Sequence, residues 1–269
     1  MEQKRFEFHN NNILEKKMKR REVLEKNKAL DEIIRNAASI DKDHLQLFPP
    51  FRQYNRNGLS VYLESGYGSQ LSSPMKQYIQ NLLKVNMEGL YGSEWPTEEK
   101  VKRREMVAPE ARYIFVREAR NASVDEISPK AKEEKNCSRW MGDGDPVVGF
   151  VEYRYIVEEE IPVAYVYELQ LEHHVQGKGL GKFLMQLIEL IARKNRMSAV
   201  MLTVQKANLL AMNFYTSKLR YMISTISPSR VDPLIGAKKS YEILCKAFDH
   251  EAKEKLEDAY TLVGEGHGQ

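Results

Sequence analysis

Short apolar runs alternate with amphipathic segments through the middle of the chain, a pattern typical of an α/β protein. Residues 73–90 predict a helix, because their apolar positions recur every three or four residues. The glutamates at 158–160 separate two long apolar runs, which predicts a pair of adjacent antiparallel strands. The strands predicted in this way lie at 61–64, 113–117, 147–157, 162–172 and 198–204.

The remaining segments have other patterns. Residues 13–38 predict one long helix whose apolar stripe packs on the domain as a brace, and a basic cluster from Lys16 to Arg21 lies in its first half. This cluster is either a nuclear-import signal or a solvated helical face. The polar residues at about 120–145 predict an inserted, mobile loop. The predicted organisation is a basic helical segment at 1–40, one domain at 41–248 and a charged, flexible tail at 249–269.

Composition narrows the class of protein. A chain of 269 residues, 42% of them hydrophobic, can bury one sizeable core. The net charge of +3 is too small to imply nucleic-acid binding. Cys137 and Cys245 are too few for a disulfide framework or a zinc site, which favours a reducing compartment. Without a long apolar run or the apolar stretch of a secretory signal, we expect a soluble, intracellular protein that does not bind membranes.

A glycine-spaced turn, QGKGLG at 176–181, connects the strand at 162–172 to an amphipathic helix. It is not a dinucleotide loop, since the glycines run G-x-G-x-G, nor a P-loop, since Phe183 follows Lys182 where a hydroxyl residue is required. Glycines nevertheless let the backbone approach a phosphate, and the start of a helix attracts anions. The turn therefore predicts an anion site that side chains at Gly179 or Gly181 would block, with a tight turn that holds no ligand as the alternative.

The turn, its helix, the strand at 198–204 and the following Asn208 and Tyr215 resemble, in order and spacing, the GNAT superfamily of acetyl-CoA-dependent N-acetyltransferases. Gln176, Gly179 and Gly181 match its signature [RQ]-x-x-G-x-[GA]. More narrowly, the segments YVYELQLEHHVQGKGLGKFLMQLIELIA, VMLTVQKAN, FRQYNRNGLSV and MEGLYGSEW resemble the NatD-type N-alpha-acetyltransferases, which acetylate the N termini of histones four and two-A. The resemblance covers about residues 47–244, apart from the inserted loop. It implies a mixed, mostly antiparallel sheet, flanked by helices and splayed between the strands at 163–172 and 198–204, with acetyl-CoA in the gap.

The resemblance also implies how acetyl-CoA, the acetyl donor, is held. The strand before the turn pairs its backbone with the pantetheine arm, the turn cradles the pyrophosphate, and Asn208 binds further along the cofactor. The implied cofactor residues are Gln170, Leu171, Glu172, Gln176, Gly177, Lys178, Gly179, Leu180, Gly181, Lys182, Phe183 and Asn208. We expect no metal, because the neighbouring His173 and His174 would point to opposite faces of a strand.

Three residues are candidates for the chemistry. Glu168, inside the apolar YVYELQL, is the expected general base, which takes a proton from the attacking amine directly or through a water. Tyr167 is a candidate for holding such a water. Tyr215 stands where GNAT enzymes often carry a tyrosine that protonates the departing CoA thiolate, with a packing role as the alternative. The residues that the resemblance places around the peptide are Tyr91, Trp95, Glu158, Tyr165, Tyr167, Thr203 and Tyr241.

Substrate chemistry favours an N terminus. At neutral pH about 10% of α-amines are unprotonated, against well under ~1% of lysine side chains, so a weakly activating site suffices. Between Glu152 and Glu172 there are six glutamates and one basic residue, Arg154, and this strip would attract a basic histone tail. One position departs from the NatD pattern, because Ile156 stands where relatives carry an acidic residue. The glutamates at 158–160 could compensate.

The sequence thus predicts a monomeric protein N-terminal acetyltransferase in the nucleus and cytoplasm, with histone N-terminal tails as its partner and no direct contact with nucleic acid. Two alternatives remain open. One is a non-catalytic protein that binds histone tails, against which Glu168 argues. The other is a GNAT enzyme that acetylates lysine side chains or small amines.

Overall fold

The computed structural model describes residues 2–39, 43–119 and 145–257, with side chains from residue 17 onward. Its helices are α1 Glu2–Ala37, α2 Ser73–Tyr91, α3 Trp95–Glu105, α4 Leu180–Lys194, α5 Leu209–Asn213, α6 Pro228–Val231, α7 Pro233–Lys238 and α8 His250–Leu256. Its strands are β1 Gln53–Arg56, β2 Leu59–Tyr67, β3 Arg112–Glu118, β4 Val147–Glu158, β5 Ile161–Leu171, β6 Ala199–Gln205, β7 Met222–Ile223 and β8 Tyr241–Ala247.

The strands of the described residues form one mixed sheet in the order β1-β2-β3-β4-β5-β6-β8-β7. All neighbours are antiparallel except β5 and β6, which are parallel because α4 crosses over between them. The strands predicted at 147–157 and 162–172 are confirmed as the antiparallel pair β4 and β5. The turn between them, at Glu159 and Glu160, has both residues at positive φ.

The sheet opens between β5 and β6. Their parallel ladder runs only from the pair Val163 and Ala199 to the pair Val166 and Leu202, although β5 continues to Leu171 and β6 to Gln205. The ladder between β4 and β5 shifts register at Tyr167, a β-bulge of the kind that bends a strand and increases its twist. The two strands therefore diverge, which confirms the predicted splayed α/β sheet and leaves a gap beside residues 167–171.

Helices cover both faces of the sheet. On one face, α4 buries its apolar stripe completely, including Leu184, Leu187, Ile188 and Ile191. On the other face, α2 buries Ile79, Leu82 and Leu83 against Phe115 and Phe150. The start of α2 is capped by the hydroxyl of Ser72, which accepts the N–H of Met75.

The N-terminal helix is longer than predicted and packs on the domain over a shorter length. Ala37 is buried, and Ile33 and Ile34 pack against the core on the α4 face. Val23 and Leu24, which the sequence placed in the same apolar stripe, are both 54% exposed. The brace is therefore limited to the last turns of α1. The basic residues Lys17, Lys19, Arg20 and Arg21 are exposed on the earlier turns.

The C-terminal boundary corrects the sequence interpretation. Residue 249 was expected to begin a flexible tail, but Asp249 caps α8 by accepting the N–H of Ala252. Ala252 and Leu256 are fully buried beside β6 and β8. The sequence pattern did not predict this helix, because its two buried residues stand in the sequence among the charged residues of its outer side. The predicted inserted loop, except for Asp145, and the chain after residue 257 lie outside the described residues. Within the described ranges no helix could cross a membrane.

Candidate active site

The predicted anion turn follows the end of β5. Gly177 and Gly179 have positive φ values of 71° and 85°, and Gly179 is the N-cap of α4. The N–H of Phe183 closes the first helical turn on the carbonyl of Gly179, at 3.1 Å. The N–H groups of residues 180–182 precede this bond and have no intrahelical partner, so they and the helix dipole form the positive end of α4. A phosphate group fits this arrangement.

A hairpin far away in the sequence holds this turn in place. The Tyr54 hydroxyl donates a hydrogen bond of 2.6 Å to the carbonyl of Lys178, and the Asn57 amide donates another of 2.9 Å. The ring of Phe183 lies 5.1 Å from the Phe51 ring and 5.0 Å from the Tyr54 ring, measured between centroids. Because the Lys178 carbonyl is turned toward the hairpin, the turn can present N–H groups to a ligand. The sequence showed this hairpin only as part of a resemblance.

The two glycines expected to admit the phosphate have different roles. A Cβ at Gly179 would lie 2.7 Å from the Tyr54 hydroxyl, in addition to the strain of its positive φ. A Cβ at Gly181 would lie 3.3 Å from the Phe214 ring, a tight contact with the helix after β6. At Gly181, close packing against Phe214 thus disfavours a side chain, in addition to the predicted approach of a phosphate.

Several predicted cofactor residues form contacts within the protein. The Gln176 side chain donates to the carbonyl of Leu171, at 2.9 Å, and so ties the turn to β5. The Glu172 carboxylate accepts from the Tyr78 hydroxyl at 3.3 Å. The side-chain oxygen Oδ1 of Asn208 caps α5 by accepting the N–H of Ala211, at 3.0 Å. These contacts hold the rim of the gap in shape, and the edge of β5 beyond Val166 is free of β6 for a ligand to pair with.

The predicted base lies at the bulge, under the α2 and α3 helices. Glu168 is 7% exposed, and one of its oxygens accepts from the Gln170 amide at 2.8 Å. Its other oxygen is ion-paired with the ammonium of Lys102 from α3. The Asn86 amide in turn donates to Gln170, at 2.9 Å. The carboxylate is therefore fixed in one orientation, which a base that must meet an incoming amine requires.

A second buried glutamate faces the first. Glu152 of β4 is the register partner of Glu168 and is 2% exposed. The Tyr113 hydroxyl lies 3.0 Å from the Glu152 carboxyl and 2.9 Å from the carbonyl of Met106. One hydroxyl proton cannot serve two acceptors, so both contacts are satisfied when Glu152 carries a proton. Burial, with a further contribution from the Glu168 charge, raises the pKa of Glu152 to about 7.

Arg154 connects this pair to Tyr167. Its guanidinium donates to Glu152 at 3.2 Å and to the carbonyl of Glu105 at 2.6 Å, and lies 4.0 Å from the centre of the Tyr167 ring. Burial raises the pKa of the half-buried Tyr167 hydroxyl. The sequence analysis missed Lys102, Tyr113 and the role of Glu152, because only the folded sheet brings them to Glu168.

Tyr215 lies in a π-helical turn, Phe214–Lys218, after β6. Its ring packs between those of Phe214 and Tyr221, at centroid distances of 4.9 and 6.0 Å. Burial, and to a smaller extent the charge of Glu168, raises the pKa of the Tyr215 hydroxyl well above its ordinary value. This tyrosine therefore keeps its proton, which both a proton donor and a packing aromatic require.

Most residues predicted to surround the peptide meet on one side of the gap. Tyr165 hydrogen-bonds Thr203 across β5 and β6, and its ring lies 5.4 Å from that of Tyr167. Glu158 and Tyr241 are close enough to affect the pKa of Tyr165, which burial raises to about 12. Tyr91, at the end of α2, lies near Gln205 of β6, on the other side of the gap. Trp95 differs, because it is 4% exposed within the core under α2 and its indole N–H has no partner among the described residues.

The acidic turn between β4 and β5 is partly neutralised by the chain itself. The Glu160 carboxylate accepts from Lys26 of α1 at 2.9 Å and from Lys255 of α8 at 3.1 Å. These hydrogen bonds lower the pKa of Glu160. Burial raises the pKa of Glu158, and the neighbouring Glu159 adds to this. In the described ranges no ion pair joins Glu158 or Glu159 to another residue.

Among all the described residues, no group of three His, Cys, Asp or Glu side chains could hold a metal ion.

Comparisons with known proteins find one family model and several solved structures that are similar to this chain. Residues 88–220 match the model of the acetyltransferase (GNAT) family. Among solved structures, PaiA N-acetyltransferase from Thermoplasma acidophilum, in complex with coenzyme A, is 17% identical, with 71% of this chain and 100% of that chain covered and a TM-score of 0.45. Naa50 from Arabidopsis thaliana, bound to the bisubstrate analogue CoA-Ac-MVNAL, is 17% identical over 70% of this chain and 99% of that chain, with a TM-score of 0.41. The NatC complex bound to Gag peptide and CoA matches at 11% identity, with 70% and 99% covered and a TM-score of 0.42.

The hairpin contact predicts an effect of Tyr54 on cofactor affinity. Tyr54→Phe keeps the ring beside Phe183 but removes the hydrogen bond to Lys178, a loss of about 0.5–1.5 kcal/mol. Acetyl-CoA should therefore bind about 2- to 12-fold more weakly in calorimetry. Tyr62→Phe is the control, since Tyr62 belongs to the same hairpin and lies near Asp145 instead of the turn. Equal affinities in the two variants would contradict the role assigned to the hairpin.

The raised pKa of Glu152 predicts a pH-dependent stability. The folded protein holds this proton up to about pH 7, whereas the unfolded chain releases it near the ordinary value of 4.5. The stability that the protonated Glu152 contributes is thus fully present below its unfolded pKa of 4.5 and is lost as the pH rises to about 7. Glu152→Gln stays neutral at every pH. As the pH rises from acid to alkaline, its free energy of unfolding should therefore increase by about 2–3 kcal/mol relative to that of wild type. Urea unfolding of both proteins across this range tests it; a difference independent of pH would show that folding does not raise the pKa of Glu152.

Proposed function

We propose that this chain, which matches the model of the GNAT family of acetyltransferases over residues 88–220, is a member of that family and an N-alpha-acetyltransferase for the free N-terminal amine of histones four and two-A. One observation carries the proposal. A fixed, buried carboxylate, Glu168, lies where β5 and β6 diverge, between a turn that fits a pyrophosphate and a cluster of tyrosines. This arrangement supports a role for Glu168 as a base between a donor site at the turn and an acceptor surface at the tyrosines.

Acetyl-CoA fits the gap on the evidence of the turn and of the free edge of β5. When bound, it supplies the acetyl group as a thioester. The N–H groups at the start of α4, with Lys178 and Lys182, bind the pyrophosphate. The unpaired edge of β5 offers backbone groups to the amides of the pantetheine arm.

Glu168 and Tyr215 divide the proton transfers between them. Glu168 accepts a proton from the protonated N-terminal amine, and the nitrogen, now neutral, attacks the thioester carbonyl with its free electron pair. Tyr215, with its raised pKa, holds a proton for the sulfur that leaves. The two groups lie on strands and turns on either side of the gap, so acid and base are kept apart.

The acceptor side supports a peptide N terminus. The tyrosines 91, 165 and 167 line the approach to Glu168. Glu158 and Glu159 carry the negative charge that would attract a basic tail, because Glu160 is already paired with Lys26 and Lys255. Ile156 packs against the apolar cluster near β6 and α8, so it leaves the selection of an arginine to these two glutamates.

The proposal includes a nuclear as well as a cytoplasmic location. Its support is the exposed basic run on α1, which has the composition of an import signal, and the histone substrate itself. We expect the enzyme to act as a monomer on histone tails, without direct contact with DNA.

Acceptor selectivity tests the proposed substrate. Purified protein and acetyl-CoA should acetylate a Ser-Gly-Arg-Gly-Lys peptide on its α-amine, and blocking that amine should remove most product, because the α-amine is far more often neutral than lysine. Mass spectrometry of the fragmented peptide locates the acetyl group. Product on the lysine of the blocked peptide, with little on the free N terminus, would favour a lysine or small-amine enzyme. Binding of the peptide without any product would favour the non-catalytic tail-binding alternative.

The chemistry predicts the effect of removing the base. Glu168→Gln keeps the hydrogen bond from Gln170 but cannot take a proton, so turnover should fall by about 10² to 10⁴ while acetyl-CoA binding remains. Glu189→Gln is the control, since this carboxylate is ion-paired with Lys246 of β8, away from the gap. Normal turnover in a folded Glu168→Gln protein would assign the proton transfer to another group.

A further inference from the structure

Lys102 and Glu168 form a buried ion pair at the centre of the proposed site. Lys102 reaches down from α3, and the two side chains are 13% and 7% exposed. Solvent screens such a pair much less than a surface pair. The charge on Lys102 therefore acts strongly on whatever else contacts the Glu168 carboxylate.

The surroundings keep Lys102 charged and in place. Burial opposes its charged form, but the charge and hydrogen bond of Glu168, together with Tyr91 and Glu105, outweigh this effect and raise the pKa of Lys102 above its ordinary value. The centre of the Tyr91 ring lies 5.6 Å from the ammonium. Lys102 is thus a permanent cation over the whole pH range in which the enzyme would work.

Other charged and titratable groups face this pair from every element packed around it. They are Glu98 and Glu105 on α3, Tyr91 on α2, Tyr113 on β3, Glu152 and Arg154 on β4, and Tyr215 after β6. Arg154 is bonded to Glu152 and to a backbone carbonyl. In the described part of the chain, Lys102 is the cation in direct contact with Glu168.

We propose that Lys102 is a positioning residue of the transfer reaction, which orients the Glu168 carboxylate and places a fixed positive charge beside the acceptor amine. This inference rests on the proposed role of Glu168 as base. A carboxylate oxygen has two lone pairs, so the oxygen bonded to Lys102 can also accept from an amine. The fixed cation disfavours a second ammonium there. The acceptor nitrogen gives its proton to Glu168, keeps the electron pair and uses it to form the new C–N bond, while the C–S bond of the thioester breaks and the sulfur leaves with that bond's electron pair and takes a proton from Tyr215.

Removing the charge should change the pH profile of turnover. In Lys102→Met the acid limb of the kcat profile should move to higher pH by about 1 to 3 units, the usual effect of losing an opposite charge within a few ångströms. Lys102→Arg keeps the charge and should restore the position of the limb. The profiles of kcat and kcat/KM are recorded from about pH 5.5 to 9.5, because kcat reports the groups in the enzyme–substrate complex.

A matched control separates this effect from lost stability. Lys246→Met breaks another partly buried lysine–glutamate pair, with Glu189 at 2.9 Å, and should leave the limb where it is. A Lys102→Met limb that coincides with wild type, even at lower activity, would overturn the inference and leave Lys102 a structural role. Acetylation of Lys102 itself in the wild-type protein would also overturn it, since the residue would then be an acceptor.

The design keeps this inference distinct from the proposed function. The profiles are measured with whichever amine the wild-type protein acetylates. If that amine is a lysine side chain, the proposed substrate is wrong, and the limb of Lys102→Met still decides the role of Lys102. If Glu168→Gln keeps normal turnover, Glu168 is not the base and the inference falls with it.

Discussion

The parallel ladder between β5 and β6 stops after four residue pairs, and the positions of the site residues follow from this limit. Neither strand loses order beyond the ladder, because β5 stays paired with β4 and β6 stays paired with β8 as far as Gln205. The gap is therefore bounded by two antiparallel ladders instead of by loops. Such walls can hold an extended ligand without first having to become ordered, which lowers the entropy cost of binding.

The β-bulge at Tyr167, where β5 diverges from β6, also orients the buried side chains of the site. It turns Glu168 toward the helices on one face, where α2 and α3 enclose four titratable groups, Glu152, Glu168, Arg154 and Lys102. Buried charges of this kind rarely add stability compared with a well-packed apolar core. Their hydrogen bonds and ion pairs keep the cost tolerable, and the perturbed pKa of Glu152 marks the place as a candidate for chemistry.

Much of this arrangement could be predicted from the sequence, where the signal is local. Alternating apolar runs predicted β4 and β5, helical spacing predicted α2, and the glycines at 177 and 179 predicted the turn before α4. Resemblance to the GNAT family added the splayed sheet. The contacts at the site could not be predicted, because they join residues far apart in the chain. Lys102 and Glu168 are 66 positions apart, and Tyr54 and Lys178 are 124 apart. For Trp95, the resemblance predicted a contact with the peptide, but the residue is buried in the core beside the site.

The hydrogen bonds from Tyr54 and Asn57 to the carbonyl of Lys178 join the first hairpin of the domain to the turn after its fifth strand. Ligand binding at the turn and folding of the hairpin are therefore coupled reciprocally, and a ligand that needs the turn in this conformation also stabilises the hairpin. All residues of the acetyl-CoA signature lie after position 175, yet a chain that lacked residues 53–57 would contain the whole signature without the contacts that orient it. Cofactor affinity is in this sense a measure of whether the beginning of the domain has folded, and hydrogen exchange in β1 and β2 should slow when the ligand binds.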